Sequence, residues 1–500
     1  MEAYHNSRDI EFRAPFGAVK AGTKLKLRID IWNGTPEEAT LRVWTDGVGE
    51  TRQLMDINAR DGGYTATAVF EAPRSALCWY RFEIKDADGS LYYYGRDEKH
   101  GGVGKMYPAA EGDCPSYQIT VYKERIVPDW YKQGIVYQIF PDRFAGETGS
   151  DEDIVESRIS GHAHGPLRRA VSWEKPVSYE KNADKSIAAW DFYGGSLKGI
   201  EQKLDYLKEL GVSIIYLNPI FEAASNHRYD TGDYMSIDPV LGDEADLERL
   251  CKKAREKGIS VILDGVFNHT GCDSIYFNKY GNYEGLGAYQ SEESPYREWY
   301  SFNNDSKDGY DSWWGVGDLP NLREESVSLR ELIYASEDSV VRHYMKLGAR
   351  GWRLDVADEL PDDFIAGIKQ AMTDETGDDA LLMGEVWEDA SNKESYGVRR
   401  RYFQGEELDC VMNYPFRDGV CAFLTGKSDA GDFAESMYTL SENYPKEAFY
   451  SSLNLIGSHD KARILTVLSG APEESELSED EKKEYRLSEA QRGLGKSRLW

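Results

Sequence analysis

Two periods of hydrophobic spacing divide this chain. Up to about residue 124, apolar and polar positions alternate, as in Lys24-Leu25-Lys26-Leu27-Arg28-Ile29-Asp30-Ile31. Similar runs cover Tyr64 to Phe70, Trp79 to Ile84 and Tyr117 to Tyr122. A period of two puts one face of a strand on a core and the other in water. Between the runs lie Asn33-Gly34, Asp61-Gly62 and Asp88-Gly89, dipeptides suited to tight turns that need positive φ. Residues 1–124 are therefore expected to form an antiparallel β-sandwich, with Trp32, Trp44 and Trp79 assigned to its core.

From Val136 the rhythm becomes strand, loop, helix. Val136 to Phe140 is continuously apolar or aromatic apart from Gln138, as expected of a strand covered on both faces. Ile200, Leu204 and Leu207 make one helical stripe, Val212 to Leu217 the next strand, Asp243 to Glu256 a helix and Ser260 to Asp264 a third strand. Further strands are expected to end at Asp355, Glu385, Asn413 and Gly457. This alternation predicts an α/β fold, a (β/α)8 TIM barrel over residues 125–500. Two insertions interrupt it: residues 145–192 after the first strand, and an aromatic-rich loop subdomain at about 270–325 after the third. Only seven strands are found, so the expectation is that the last barrel unit is absent from this chain.

Charge and cysteine usage narrow the partners. The formal charge of -29, from 88 acidic and 59 basic residues, argues against nucleic acid and against an anionic membrane surface. No run approaches the roughly 18 apolar residues needed to span a bilayer, and Met1 to Phe12 has no apolar core of a secretory signal. Cys78, Cys114, Cys251, Cys272, Cys410 and Cys421 form no Cys-x-x-Cys pair and read as reduced thiols, so a cytoplasmic location is expected.

The candidate chemistry sits where strand-like runs end. Asp355 closes Gly351-Trp352-Arg353-Leu354, Glu385 closes Leu381-Leu382-Met383-Gly384, and His459-Asp460 closes Leu453 to Ser458. In a parallel barrel that rim is where side chains meet substrate, and a pair of carboxylates there suits glycoside cleavage. Arg353, two residues before Asp355, would keep that carboxylate ionised as the nucleophile. Glu385 has no basic neighbour in sequence and lies between Met383 and Trp387, which suits a general acid and base. Asp264 is expected to orient Arg353. Two other readings stay open: a divalent-metal lyase or isomerase using Asp264, Asp355, Glu385 and Asp460 as ligands, and a glucan-binding or interaction protein on an inactive barrel.

Asp264-Gly265-Val266-Phe267-Asn268-His269, Gly351-Trp352-Arg353-Leu354-Asp355, Gly384-Glu385-Val386-Trp387 and Ser458-His459-Asp460 resemble, in order and spacing, the four signature regions of the α-amylase family. Val136 to Phe144, Asp191-Phe192-Tyr193-Gly194-Gly195 and Asn226-His227-Arg228-Tyr229-Asp230 extend the likeness over about residues 130–470. With its N-terminal β-domain, Leu319-Pro320-Asn321-Leu322 and Met412-Asn413-Tyr414-Pro415, the chain is most similar to the neopullulanase, cyclomaltodextrinase and maltogenic amylase group.

The resemblance implies a retaining hydrolase of α-1,4 bonds, in some members also of α-1,6 bonds, acting on maltooligosaccharides, cyclodextrins, pullulan or starch. It implies a C-terminal β-domain, expected to be absent from this chain, and leaves open a homodimer through the N-terminal domain. It also places Asp460, His269, His459, Tyr229 and His227 with Arg353 around the sugar being cleaved. Aromatics of the inserted loop would wall that subsite, and for Trp32, Trp44 and Trp79 the alternative to a core role is a sugar-stacking face of the sandwich. No cofactor is required. Related enzymes often hold calcium after the first strand, but Ala145-Gly146-Glu147-Thr148-Gly149 and Ser196 stand where its Asn and Asp ligands would be. Ala357-Asp358-Glu359 also departs from the group's usual Asn before the Glu, which bears on hydrolysis against transfer.

Overall fold

The computed structural model describes residues 1–97, 101–108, 114–148, 156, 167–178, 180–183 and 187–499. They fall into two compact units, Met1–Ile126 with Trp387–Trp500, and Val127–Val386.

In the first unit the alternating runs become two antiparallel-rich sheets. Lys24–Trp32 pairs with Glu2–Tyr4 and Gly63–Glu71, and Gly63–Glu71 with Asp56–Arg60. Ala76–Asp86 is the centre of the other sheet, flanked by Pro36–Thr45, Leu91–Arg96 and Tyr117–Tyr122. Leu25, Leu27, Ile29 and Ile31 from one sheet share a core with Leu41, Val43, Tyr80, Phe82, Ile84, Ile119 and Val121 from the other. The turns adopt the left-handed backbone that their sequence suggests, with φ 52° at Asn33, 77° at Gly62 and 88° at Gly89. Trp44 departs from expectation: it is 51% exposed, because Leu41 and Val43 take the inward positions of Pro36–Thr45 and leave Arg42 and Trp44 on the other face.

The second unit holds a parallel sheet wound in chain order. Val136–Ile139, Ile214–Leu217, Ser260–Gly265, Gly351–Leu354 and Leu381–Gly384 each pair in parallel with the next. The last four strands are buried at every position, which is why their sequences run apolar instead of alternating. Helix Glu244–Glu256 covers the sheet with Leu247, Leu250, Cys251 and Ala254, and starts from a capping box between Asp243 and Asp246. The expected single stripe through Ile200, Leu204 and Leu207 is split into Leu197–Gln202 and Leu204–Glu209, yet all three residues are buried. In the first inserted loop, Leu167–Arg169 pairs in parallel with Trp190–Phe192; its residues 149–155 and 157–166 lie outside the described residues.

The two later strands are shorter than the sequence suggests, and both belong to the first unit. One is reduced to Cys410–Val411, and Leu453 makes a single parallel bridge to Met412. Beyond it the Leu455 N–H closes onto the Leu453 carbonyl at 2.9 Å and Ile456 is 46% exposed, so the segment turns instead of extending to Gly457. No helix among the described residues is long and apolar enough to cross a membrane.

Strand Gly351–Leu354 can approach its neighbour only because it begins without a side chain. A Cβ at Gly351 would lie 2.4 Å from the Leu381 carbonyl oxygen. Gly351→Ala should therefore pry apart the strands that carry Arg353 and lead to Glu385, destabilising the fold by about 1–3 kcal/mol. A lower urea midpoint is the expected result, and an unchanged midpoint would contradict it.

Candidate active site

Parallel register brings four charged groups to one rim. Asp264 pairs directly with Arg353 across neighbouring strands. One step further, the Asp355 N–H donates to the Gly265 carbonyl and the Glu385 N–H to the Leu354 carbonyl, each at 3.0 Å. The ladder thus holds both carboxylates before the chain turns away. Arg353 Nη1 donates to Asp264 Oδ1 at 2.8 Å and Asp355 Oδ1 at 2.7 Å, while Nη2 lies 3.0 Å from Glu385 Oε2. All four side chains are buried. Behind them, Asp264 Oδ2 accepts from the hydroxyls of Tyr216 at 2.5 Å and Tyr229 at 2.8 Å. Asn218 Nδ2 donates to the Tyr229 hydroxyl at 2.8 Å, and Gln138 Nε2 donates to Asn218 Oδ1 at 3.0 Å.

Three carboxyl groups therefore share one cation. Burial pushes the Asp355 carboxyl well above its ordinary range; Arg353 pulls it down, and Glu385 and Asp264 push it up again. This corrects two expectations. Arg353 does not by itself hold Asp355 anionic in the empty site, because desolvation outweighs it. Nor is Glu385 without a cation: in a parallel sheet the adjacent strand is as near as the next-but-one residue of the same strand. Proximity in sequence gave Arg353 to Asp355 alone, and strand pairing shares it with Glu385.

The surrounding residues fix orientation. His269 is buried, and burial lowers its pKa to about 4, so its ring is neutral at ordinary pH. Its Nδ1 faces the Asn268 amide at 3.2 Å and its Nε2 the Tyr229 carbonyl at 3.1 Å, which favours the tautomer with the proton on Nε2. Trp313 stacks on that ring with centroids 5.5 Å apart. Its neighbour Trp314 is 80% exposed, has φ 51° and donates its indole N–H to Glu359 Oε1 at 3.2 Å. His227 Nδ1 accepts from the Tyr229 N–H at 3.1 Å, and its ring meets Trp190 edge-on.

Val356 is the residue that sequence reasoning missed most completely. It sits at φ 38°, ψ 54°, left-handed backbone that a β-branched residue rarely adopts, and its N–H donates to Glu385 Oε2 at 3.0 Å. Nothing in its side chain announces this. Tyr216 and Asn218 were more accessible to sequence reasoning, being polar groups at the end of a buried strand that must find partners.

His459 and Asp460 belong to the other compact unit. There they form a turn, with His459 Nε2 3.2 Å from Asp460 Oδ1, and Lys461 lies over the Trp387 ring at 3.7 Å. Trp387 in turn stacks on Tyr414 at 4.5 Å.

Among the described residues after the first strand, the groups at the expected calcium positions already have other partners. The Glu147 carboxylate faces the Lys198 ammonium at 3.5 Å, and Ser196 spends its hydroxyl on the Gly199 N–H at 3.0 Å. A divalent ion at the rim meets a different obstacle, since the Arg353 guanidinium already lies against Asp264, Asp355 and Glu385.

The raised Asp355 pKa has a consequence for stability. The folded chain keeps a proton that the unfolded chain loses above about pH 4, so stability falls as pH rises from there through the folded pKa. Asp355→Asn removes that cost. It should make the protein more stable than the parent at pH 7, by on the order of 1 kcal/mol, with the gain shrinking below pH 4. Urea unfolding at both pH values checks this, and a less stable variant at pH 7 would refute it.

Comparison with known proteins identifies the family. Residues 138–484 match the family described as alpha amylase, catalytic domain. The chain is 38% identical over 507 residues to an amylopullulanase of Thermoanaerobacterium saccharolyticum, covering 93% of this chain and 38% of that protein. It is 30% identical over 453 residues to a cyclomaltodextrinase of Geobacillus thermopakistaniensis strain MAS1, covering 88% of this chain and 68% of that one. Among solved structures, the type III pullulan hydrolase from Thermococcus kodakarensis aligns with a TM-score of 0.58 at 25% identity, over 94% of this chain and 75% of that chain. The chain thus spans less than two fifths of the amylopullulanase, yet the family match over residues 138–484 contains Asp264, Arg353, Asp355 and Glu385, and the chain belongs to the alpha-amylase catalytic-domain family, whose fold is the TIM barrel.

Proposed function

We propose that this chain hydrolyses α-glucosidic bonds by a double displacement that retains the α-configuration. The observation that carries the reading is the single buried guanidinium bound to both Asp355 and Glu385. In this scheme an oxygen of Asp355 attacks the anomeric carbon while Glu385 gives its proton to the departing glycosidic oxygen. A covalent glycosyl ester forms on Asp355. Glu385, now a carboxylate, takes a proton from water, the water oxygen attacks the same carbon, and the Asp355 ester bond breaks.

The shared cation explains how one carboxyl is charged while the other is not. Three acids around one guanidinium cannot all ionise at low cost, so the cluster retains a proton and titrates as a unit. Glu385 Oε2 accepts from the Val356 N–H and faces Arg353, which fixes the carboxyl at the rim. When a developing positive charge appears at the sugar, Asp355 is stabilised as the anion and attacks. Asp264, held by two tyrosine hydroxyls, keeps Arg353 in place. Tyr229 and His269 supply a ring face and a neutral hydrogen-bonding imidazole for the bound glucose unit, with His227 beside them. Asp460 and His459 complete this assignment as ligands of sugar hydroxyls.

The substrate class is α-glucan, with α-1,4 bonds cleaved and α-1,6 bonds a second specificity. Relatives named amylopullulanase and cyclomaltodextrinase support this breadth. A neutral polyhydroxylated substrate is indifferent to the net charge of -29. The six cysteines are all free, which supports the expected cytoplasmic setting.

Asp355→Asn and Glu385→Gln should each lower kcat/KM on maltooligosaccharides by roughly a thousandfold or more while the protein stays folded. Fresh digests followed by NMR should show α-anomers first. Release of β-anomers, or substantial activity in either variant, would remove the assignment. Parallel digestion of starch, cyclodextrin and pullulan identifies the preferred glucan.

A further inference from the structure

Gln138 is the one amide side chain in the apolar and aromatic strand Val136–Ile139, and the double displacement gives it no task. Register explains its place. Gln138 is the parallel partner of Tyr216, Tyr216 that of Ile262, and Asp264 that of Arg353. The Asn218 N–H carries the first ladder one step further by donating to the Ile139 carbonyl at 3.0 Å. Residues i and i+2 of a strand share a face, so Gln138, Tyr216, Asn218, Asp264 and Arg353 project to one side of the sheet.

The hydrogen bonds along this face run in a single direction. An ionised carboxylate only accepts, so the hydroxyls of Tyr216 and Tyr229, 2.5 and 2.8 Å from Asp264 Oδ2, both donate to it. With its proton committed there, the Tyr229 oxygen accepts from Asn218 Nδ2 at 2.8 Å. That fixes the flip of the Asn218 amide, whose Oδ1 accepts from Gln138 Nε2 at 3.0 Å. Arg353 Nη1 supplies a third donor, on Asp264 Oδ1 at 2.8 Å. The fully buried Tyr216 also lies with its ring 5.9 Å from the Arg353 guanidinium carbon, so one side chain touches both members of that ion pair. The charged groups that share this environment are Asp355 and Glu385, both against Arg353.

We propose that Gln138, Asn218, Tyr229 and Tyr216 form a donor relay that holds Asp264 as the fixed anion behind Arg353, so that the proton kept by the acid cluster stays with Asp355 and Glu385. A proton on Asp264 would face three donors and leave one of them without an acceptor. Tyr216 and Gln138 act through Asp264 and are positioning residues. The inference deepens the hydrolytic reading and rests on it for the use of that proton.

Tyr216→Phe removes one donor and keeps the ring. With less to stabilise the anion, the cluster should hold its proton to higher pH, and part of that proton should move to Asp264. In the full chain, the pH optimum of kcat/KM on maltotriose should rise by about one unit, and its peak should fall about tenfold while KM stays within about twofold. Gln138→Leu frees the Asn218 amide to turn its oxygen toward Tyr229, and should raise the optimum by about half a unit. A purely structural role would lower the peak at an unchanged optimum. An unchanged or lowered optimum in either variant would overturn the relay. A second readout needs no activity: the urea midpoint of Tyr216→Phe should fall below that of the parent by a margin that widens from about pH 5 to about pH 9, because a folded state that keeps its proton longer goes on losing stability as pH rises. A constant margin would also overturn the relay. Should Tyr216→Phe not fold, Gln138→Leu carries both measurements. Failure of the hydrolytic reading looks different: the parent would leave glucans uncleaved while the widening margin persisted.

Discussion

A buried guanidinium that has to serve three carboxylates sets the terms for the whole catalytic unit. Removing Arg353 and its partners from water carries a desolvation cost that no single ion pair offsets, so such a cluster persists only when it is held rigidly and satisfied on all sides. Strand pairing supplies the rigidity. Asp264 and Arg353 are cross-strand partners, and Asp355 and Glu385 extend the same ladder by one hydrogen bond each. The tyrosines at 216 and 229 satisfy the far oxygen of Asp264 and keep that carboxylate from turning toward the substrate side. Electrostatics then follows from counting: with fewer cations than acids in a dry site, one proton stays.

Backbone strain is placed where it aims a donor at this cluster. Val356 accepts a left-handed conformation that costs on the order of 1–3 kcal/mol, and in return its N–H reaches Glu385 Oε2. A residue in ordinary extended backbone would continue the strand and point that N–H along the sheet. Trp314, another non-glycine residue with positive φ, has its indole N–H on Glu359, in the turn that follows Asp355. These two residues thus touch carboxylates within or next to the rim.

How much of this was legible in the sequence depends on whether the signal was local. The alternation in Lys24 to Ile31, the Asp-Gly and Asn-Gly turns, the Asp243 cap and the apolar runs ending at Asp264, Asp355 and Glu385 all depend on neighbours within a few residues, and all appear in the structure as strands, turns and caps. What depends on pairing between distant segments was misjudged. Arg353 was given Asp355 and Asp264 but not Glu385, and Trp44 was placed in a core whose inward positions were already taken by Leu41 and Val43. The strand expected through Gly457 failed for a related reason: its apolar residues fit a strand, but Ile456 faces water and the backbone folds back at Leu455.

The Trp44 error is instructive because parity alone could have avoided it. In a half-buried strand, residues i and i+2 share a face. Arg42 shares its face with Trp44, and an arginine in a sandwich core would need a partner for every donor. The pairing of Arg42 with Arg81, and of Trp44 with Trp79, then follows from register, since opposite residues of antiparallel strands project to the same side. A face carrying two arginines and two tryptophans serves no packing purpose in a domain whose core is already filled. Exposed indoles also leave apolar area in water that the fold gains nothing by leaving there.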